Sequence, residues 1–247
     1  MGTLSFGTLP DEIVRRIEPF FHKIIQPENN NVLSVALVGT VLTSDYIHNV
    51  SDINSVVVLK NMELGFLKIL SAQGKAAKKN KIAAPLIMTK HYIDTSLDTF
   101  PIEFLNFSLL HQTIYGENCL SKLTIHPQDL RLQLEREMKS RLIGLRQSYL
   151  SSLGDKKVLG QELSHFLSSL IPLFRSFIFL KKAAPAIGYK EVISQFHDIS
   201  GFDGSPFEQA LEIRRQTHPA KLDIEMLFEK IYWASEKLSE YVDALEI

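Results

Sequence analysis

The 247-residue chain predicts an α+β fold: a small mixed sheet with flanking helices over residues 1–122, then an all-α helical bundle over residues 123–247. Three observations lead there. Short β-branched runs bounded by turn residues belong to the first half. After about residue 126 the apolar residues recur with the helical period alone. Apolar residues make up 45% and charged residues 22%, an ordinary globular composition for a chain long enough to bury a core.

The elements follow in order. Residues 11–26 begin with two acids after Pro10 and place Ile13, Ile17, Phe20, Phe21 and Ile24 on one helical face; Pro27 and the run "ENNN" end that helix. "VLSVALVG", residues 32–39, is a continuous apolar run, as expected of a strand buried on both faces. "SVVVLK", 55–60, is a second strand. Residues 62–79 return to a helical pattern, with Leu64, Leu67, Ile69 and Leu70 expected inward. Its basic end (Lys75, Lys78, Lys79, Lys81) reads as a solvated helix terminus. "APLIMT", 84–89, reads as a third strand and "FPIEFLNF", 100–107, as a fourth that contains Glu103. Tyr115-Gly116-Glu117 marks the turn into the second half.

The second half opens with Pro127 near the start of a long helix that carries Leu130, Leu134, Met138, Leu142, Leu145 and Tyr149 in one stripe. Glu135 with Lys139 and Glu137 with Arg141 are i,i+4 pairs. After the turn at Gly154-Asp155, residues 157–182 form an almost wholly apolar helix, expected to kink at Pro172. Shorter helices are expected near 189–198 and 205–217, and a final amphipathic helix over 223–245.

Several function classes lose support. Lys plus Arg number 27 against 28 Asp plus Glu, so no whole-surface attraction to nucleic acid or to an anionic membrane is expected. The single Cys119 forms no internal disulfide, which fits a reducing compartment. The N-terminal stretch lacks the apolar core of a signal peptide. The most apolar stretch, 166–180, is short for a bilayer and carries Arg175, so it reads as a buried bundle helix, and a cytoplasmic location is expected. P-loop, dinucleotide-binding and nucleophile-elbow strings are absent.

The informative stretch is "GTVLTSDYIHNVSDIN", residues 39–54. Gly39-Thr40 follows a buried strand, as a tight turn must if its amides are to reach phosphate oxygens. Asp52 and Asn54 stand two apart at the start of the next strand, so both side chains point to one face. Glu103, in a later segment, is the candidate third acid. Phosphoryl and nucleotidyl transfer need such a turn beside carboxylates that hold Mg²⁺ against phosphates. Asp52-x-Asn54 also reads as a plain turn, and Glu103 and Arg175 also read as structural charges in need of partners.

The segments "LVGT", "SDIN" and "FPIEF" resemble those of the nucleotidyltransferase superfamily of kanamycin nucleotidyltransferase and DNA polymerase beta. The string "FPIEFLNFSLLHQTIYGEN" with "LRLQLEREMKSRLIGLRQSYL" behind it looks like a bacterial family that joins a nucleotidyltransferase-like domain to a helical C-terminal domain. The resemblance implies that Gly39, Thr40 and Ser51 line a nucleoside triphosphate and that Asp52 is the first metal ligand. It puts Asn54 in the second metal position, where an acid belongs, and Glu103 in the third, as metal ligand and base. Arg175 is a candidate for a phosphate. Mg²⁺ would be the cofactor, and a homodimer is compatible with the bundle. Three functions fit: a nucleotide-binding protein with an impaired metal site, an active transferase of nucleoside monophosphate onto a hydroxyl, or an interaction scaffold.

Overall fold

The computed structural model describes residues 3–26, 30–215 and 222–246. It is α+β, and its chain divides into two compact units: Met1–Leu97 with Asn106–Thr124, and Asp98–Leu105 with Ile125–Ile247.

The first unit is built on a four-stranded mixed sheet in the order β3-β2-β1-β4. Its strands are β1 (Val32–Val38), β2 (Asn54–Leu59), β3 (Leu86–Thr89) and β4 (His111–Gly116). β1 pairs antiparallel with β2 and β4, while β3 runs parallel to β2. Helix α1 (Asp11–Ile24) buries Ile13, Ile17, Phe20, Phe21 and Ile24, the face that periodicity selects. They pack on Val35, Leu37, Ile53, Val57 and Leu59 from one side of the sheet. Pro27, Glu28 and Asn29, expected to end that helix, lie outside the described residues.

The segment before β4's edge is tied down. Ser5 N donates to Ile114 O at 2.8 Å, Gln112 Nε2 donates to Phe6 O at 2.6 Å, and Leu4, Phe6 and Leu9 pack on the core.

Three expectations are corrected here. Residues 62–79 form two helices, α2 (Leu64–Ala72) and α3 (Gly74–Lys79), and the buried side chain of α2 is Phe66. Leu64 and Leu67 are exposed, at 72% and 43%, while Ile69 and Leu70 are half-buried and pack against the core as expected. The reason is the break at Gln73, which leaves α2 too short to lay a full stripe on the sheet. A short α4 (Lys90–Asp94) follows β3, with Thr89 as its side-chain cap. The expected strand over 100–107 is instead helix α5 (Pro101–Leu109). Proline suits a first helical turn, where its missing N–H costs nothing, and Glu103 then stands in the first turn, where the dipole favours an acid. The fourth strand is β4, on residues read as the end of the sheet domain.

The second unit centres on α7 (Lys156–Leu180), which packs against α6 (Pro127–Ser151), α8 (Tyr189–Ser200), α9 (Ser205–Arg214) and α10 (Ile224–Asp243). Residues 216 and 217, expected to end α9, lie outside the described residues. α7 runs on through Pro172 and starts at Asp155, whose Oδ1 accepts from the amides of Lys157 and Val158 at 2.8 and 3.1 Å. Phe174 of α7 stacks on Phe196 of α8 with centroids 4.2 Å apart and meets Phe207 of α9 edge-on at 5.1 Å. By length and composition α7 could cross a bilayer, but 61% of its apolar window is buried inside the protein.

Candidate functional site

β1 and β2 bring the two halves of the 39–54 stretch together. Val38 pairs with Asn54 across the ladder, so the turn that leaves β1 stands beside the residues that enter β2. That turn is a single 3₁₀ turn, Gly39–Leu42. Gly39 has φ +81°, a left-handed conformation that glycine adopts without strain, and its amide donates to Leu110 O at 3.2 Å. The Thr40 carbonyl accepts from the amide and hydroxyl of Thr43, at 2.9 and 3.0 Å.

Residues 43–51 fold back on themselves. Ser51 is buried and its Oγ accepts from the Ile47 amide at 3.0 Å, so its hydroxyl closes this loop. Arg16 of α1 steadies the loop and the strand beyond it. Its guanidinium donates to Tyr46 Oη at 2.7 Å and twice to Asn80 O, at 3.1 and 2.7 Å. One residue on, Lys81 O accepts from Ile53 N at 2.7 Å, and Ile53 O accepts from Ala83 N at 3.0 Å. Ile53 is fully buried between Asp52 and Asn54, and both of these are exposed on one face.

Gly39, Thr40, Ser51, Asp52 and Asn54 are thus brought to one end of the sheet. Among the described residues, the row at the level of Asn54 holds no acid. On the β3 side the register runs from Ile53↔Ile82 to Val56↔Leu86, which sets Ala83, Ala84 and Pro85 beside Asn54. On the other side Val38 pairs with Asn54 and with His111 of β4. The ring nitrogens of His111 lie 2.8 Å from Phe107 O and 2.9 Å from Asn118 Oδ1. Among the described residues no group of three His, Cys, Asp or Glu side chains could hold a metal.

Glu103 and Arg175 belong to the second unit, and each has partners there. Glu103 Oε2 accepts from Gln133 Nε2 at 2.8 Å, while Gln133 Oε1 accepts from the Ile102 amide at 2.8 Å, so one glutamine side chain braces the start of α5. Arg175 is 3% exposed; its Nε donates to Ala186 O at 3.1 Å and its Nη2 to Ile187 O, tying the loop after α7 to that helix. Cys119 is half-buried, and burial pushes its thiol above the ordinary range, against the pull of Lys90. That favours the inert thiol over the thiolate.

Sequence reasoning missed Arg16 and Tyr46, which hold the loop. A guanidinium that reaches one side chain and one distant carbonyl leaves no periodic trace. It also missed a cavity of about 900 Å³ beside the site, lined in part by Asp52, Lys78, Lys81 and Ala84.

No family model matches the chain, and no curated protein matches it. Among solved structures it resembles a spectinomycin adenyltransferase from Enterococcus faecialis, solved with ATP and spectinomycin, at a TM-score of 0.55 and 10% identity over 90% of this chain and 98% of that one. Likeness at that identity speaks for fold alone: the chain has a nucleotidyltransferase-like fold with a helical C-terminal region.

Proposed function

We propose that the chain binds a nucleoside triphosphate, or a similar phosphate ligand, at the Gly39–Thr40 turn with Asp52 and Asn54, and that its transfer chemistry is impaired. One observation carries this: among the described residues, the row where Ala83–Pro85, Asn54, Val38 and His111 stand side by side holds no carboxylate, and no group of three acids, histidines or cysteines gathers with Asp52, two residues before Asn54. The resembling structure was solved with ATP, which supports a nucleotide as the ligand class. Mg²⁺ accepts one or two carboxylates together with substrate phosphates, so Asp52 and the Asn54 amide oxygen suit a weakly held ion that arrives with the nucleotide. Such an ion would neutralise phosphate charge. The missing charge at Asn54 is worth about 4 kcal/mol at 4 Å and an effective dielectric near 20. Losing most of that at the transition state slows transfer by about a thousandfold. Glu103 and Arg175 are left out of this reading, because each already serves the second unit. The burial of α7 supports a soluble protein, for which we take the bacterial cytoplasm as the setting.

The second reading, an active enzyme that moves a nucleoside monophosphate onto a hydroxyl, draws on the same likeness to an adenyltransferase. Calorimetry with ATP and GTP, with and without Mg²⁺, tests the first reading. Millimolar or tighter binding that weakens at least tenfold in Asp52→Ala is expected; no heat from any nucleotide at millimolar levels overturns it. Asn54→Asp should tighten Mg²⁺-dependent binding about tenfold or more, as a restored charge requires. Labelled product from α-labelled ATP and the unaltered chain, lost in Asp52→Ala, would favour the active enzyme.

A further inference from the structure

The cavity beside Asp52 has a composition that the nucleotide reading does not use. Phe20, Leu67, Leu70, Ala77, Ile82 and Ile87 give it an apolar lining that is mostly aliphatic. Leu67 is 43% exposed, and Leu70, half-buried, packs against the core while also lining the cavity. At about 900 Å³ the space lies in the range of small-molecule sites. The charged groups on the lining are two cations and the Asp52 carboxylate. Lys78 stands in the last turn of α3, and Lys81, three residues on, is held at φ +55° by a backbone paired with Ile53. Neither ammonium pairs with an acid among the described residues. Gly74 also lines the cavity, and a Cβ placed there would meet nothing within 4 Å.

A mostly aliphatic lining whose two unpaired cations outnumber the one carboxylate, Asp52, selects a ligand with an aliphatic body and an anionic head. We infer that this cavity binds a small aliphatic carboxylate, its chain against Leu67, Leu70 and Ile82 and its head at Lys78 and Lys81. A base-and-sugar ligand fits less well, since Phe20 is the single aromatic ring in the lining and the polar groups for base edges are few. The inference rests on the cavity alone and stands whether or not the chain binds nucleotide.

The test is calorimetry of the full chain with decanoate, decanol and decylamine, each below its aggregation limit. Saturable one-to-one binding of decanoate is expected, at least tenfold tighter than decanol, with decylamine weaker still. Lys78→Met with Lys81→Met should erase the preference for decanoate over decanol while decanol still binds. Gly74→Trp should abolish decanoate binding with the far-ultraviolet circular dichroism unchanged. If that variant loses its helical signal, Ser71→Trp, at an exposed lining position, takes its place. Equal affinity for decanoate and decanol, undiminished binding in the tryptophan variant that folds, or no saturable heat from decanoate would each overturn the inference.

Discussion

At the scale of single residues, two glycines separate backbone strain from steric room. Gly39 and Gly116 both hold a left-handed backbone, at φ +81° and +72°. A Cβ on Gly39 would meet nothing within 4 Å, whereas on Gly116 it would lie 2.0 Å from the Leu33 carbonyl oxygen. Gly39→Ala is therefore expected to cost about 1–2 kcal/mol, the penalty of the left-handed conformation alone. Gly116→Ala adds a backbone collision and should cost about 3 kcal/mol or more. Thermal unfolding of the two variants checks the order; equal midpoints would remove the collision from the account. Gly39, Thr40, Asp52 and Asn54 were legible in the sequence because a register of antiparallel neighbours is written in residue order. The partners of Glu103 and Arg175 were not, because Gln133 and the carbonyls of 186 and 187 are set by packing that no spacing encodes.

Among the elements, strands β1 and β2 and the bundle helices announce themselves by run length and period. The α5 segment misled for a physical reason. Eight apolar-rich residues fit a buried strand and a short helix about equally well, and Pro101, at home in a first helical turn, was the deciding signal. β4 escaped notice because Ile114 is its one fully buried side chain, so "HQTIYG" shows no apolar run. The i,i+4 pairs on α6 are present: Lys139 Nζ meets Glu135 at 2.7 Å, and Arg141 bonds Glu137. They are exposed or half-exposed and add little each. The capping of α7 matters more. Asp155→Ala removes two charge-assisted bonds to otherwise orphaned amides and should cost about 1 kcal/mol. That lowers the melting midpoint by roughly 2–4 °C in a chain of this size. Asp155→Asn, which keeps the accepting oxygen, should recover most of it; a loss in Asn as large as in Ala would argue for charge alone.

For the whole molecule, pH acts through surface groups. Hydrogen bonds from Ser205 hold the Asp203 carboxyl below its ordinary value of 3.8, and a bond from Lys139 does the same for Asp243. A depressed folded-state pKa contributes stability that is present above 3.8 and lost as pH falls through the lower folded value. Glu117 beside Lys90 and Glu135 beside Lys139 raise those ammonium groups above 10.5, a contribution present below that pH and lost as pH rises past the folded value. Through these groups the melting midpoint should therefore be level between about pH 5 and 10 and decline outside that window, and salt should flatten the decline, since these groups are solvated. A steep fall between pH 5 and 8 would point to a buried titrating group instead.

The two borders of the sheet bear on how the protein behaves in concentrated solution. β3 is a border of four residues, preceded by Pro85, which has no N–H to offer a new strand, and followed by Lys90. The other border is β4, and Ser5 already occupies the Ile114 carbonyl there. Shielding of this kind discourages a sheet from recruiting strands of other copies and growing into aggregates. Cutting away residues 1–9 would bare that border together with the apolar surface that Leu4, Phe6 and Leu9 cover. The shortened chain should scatter light at concentrations where the full chain stays clear.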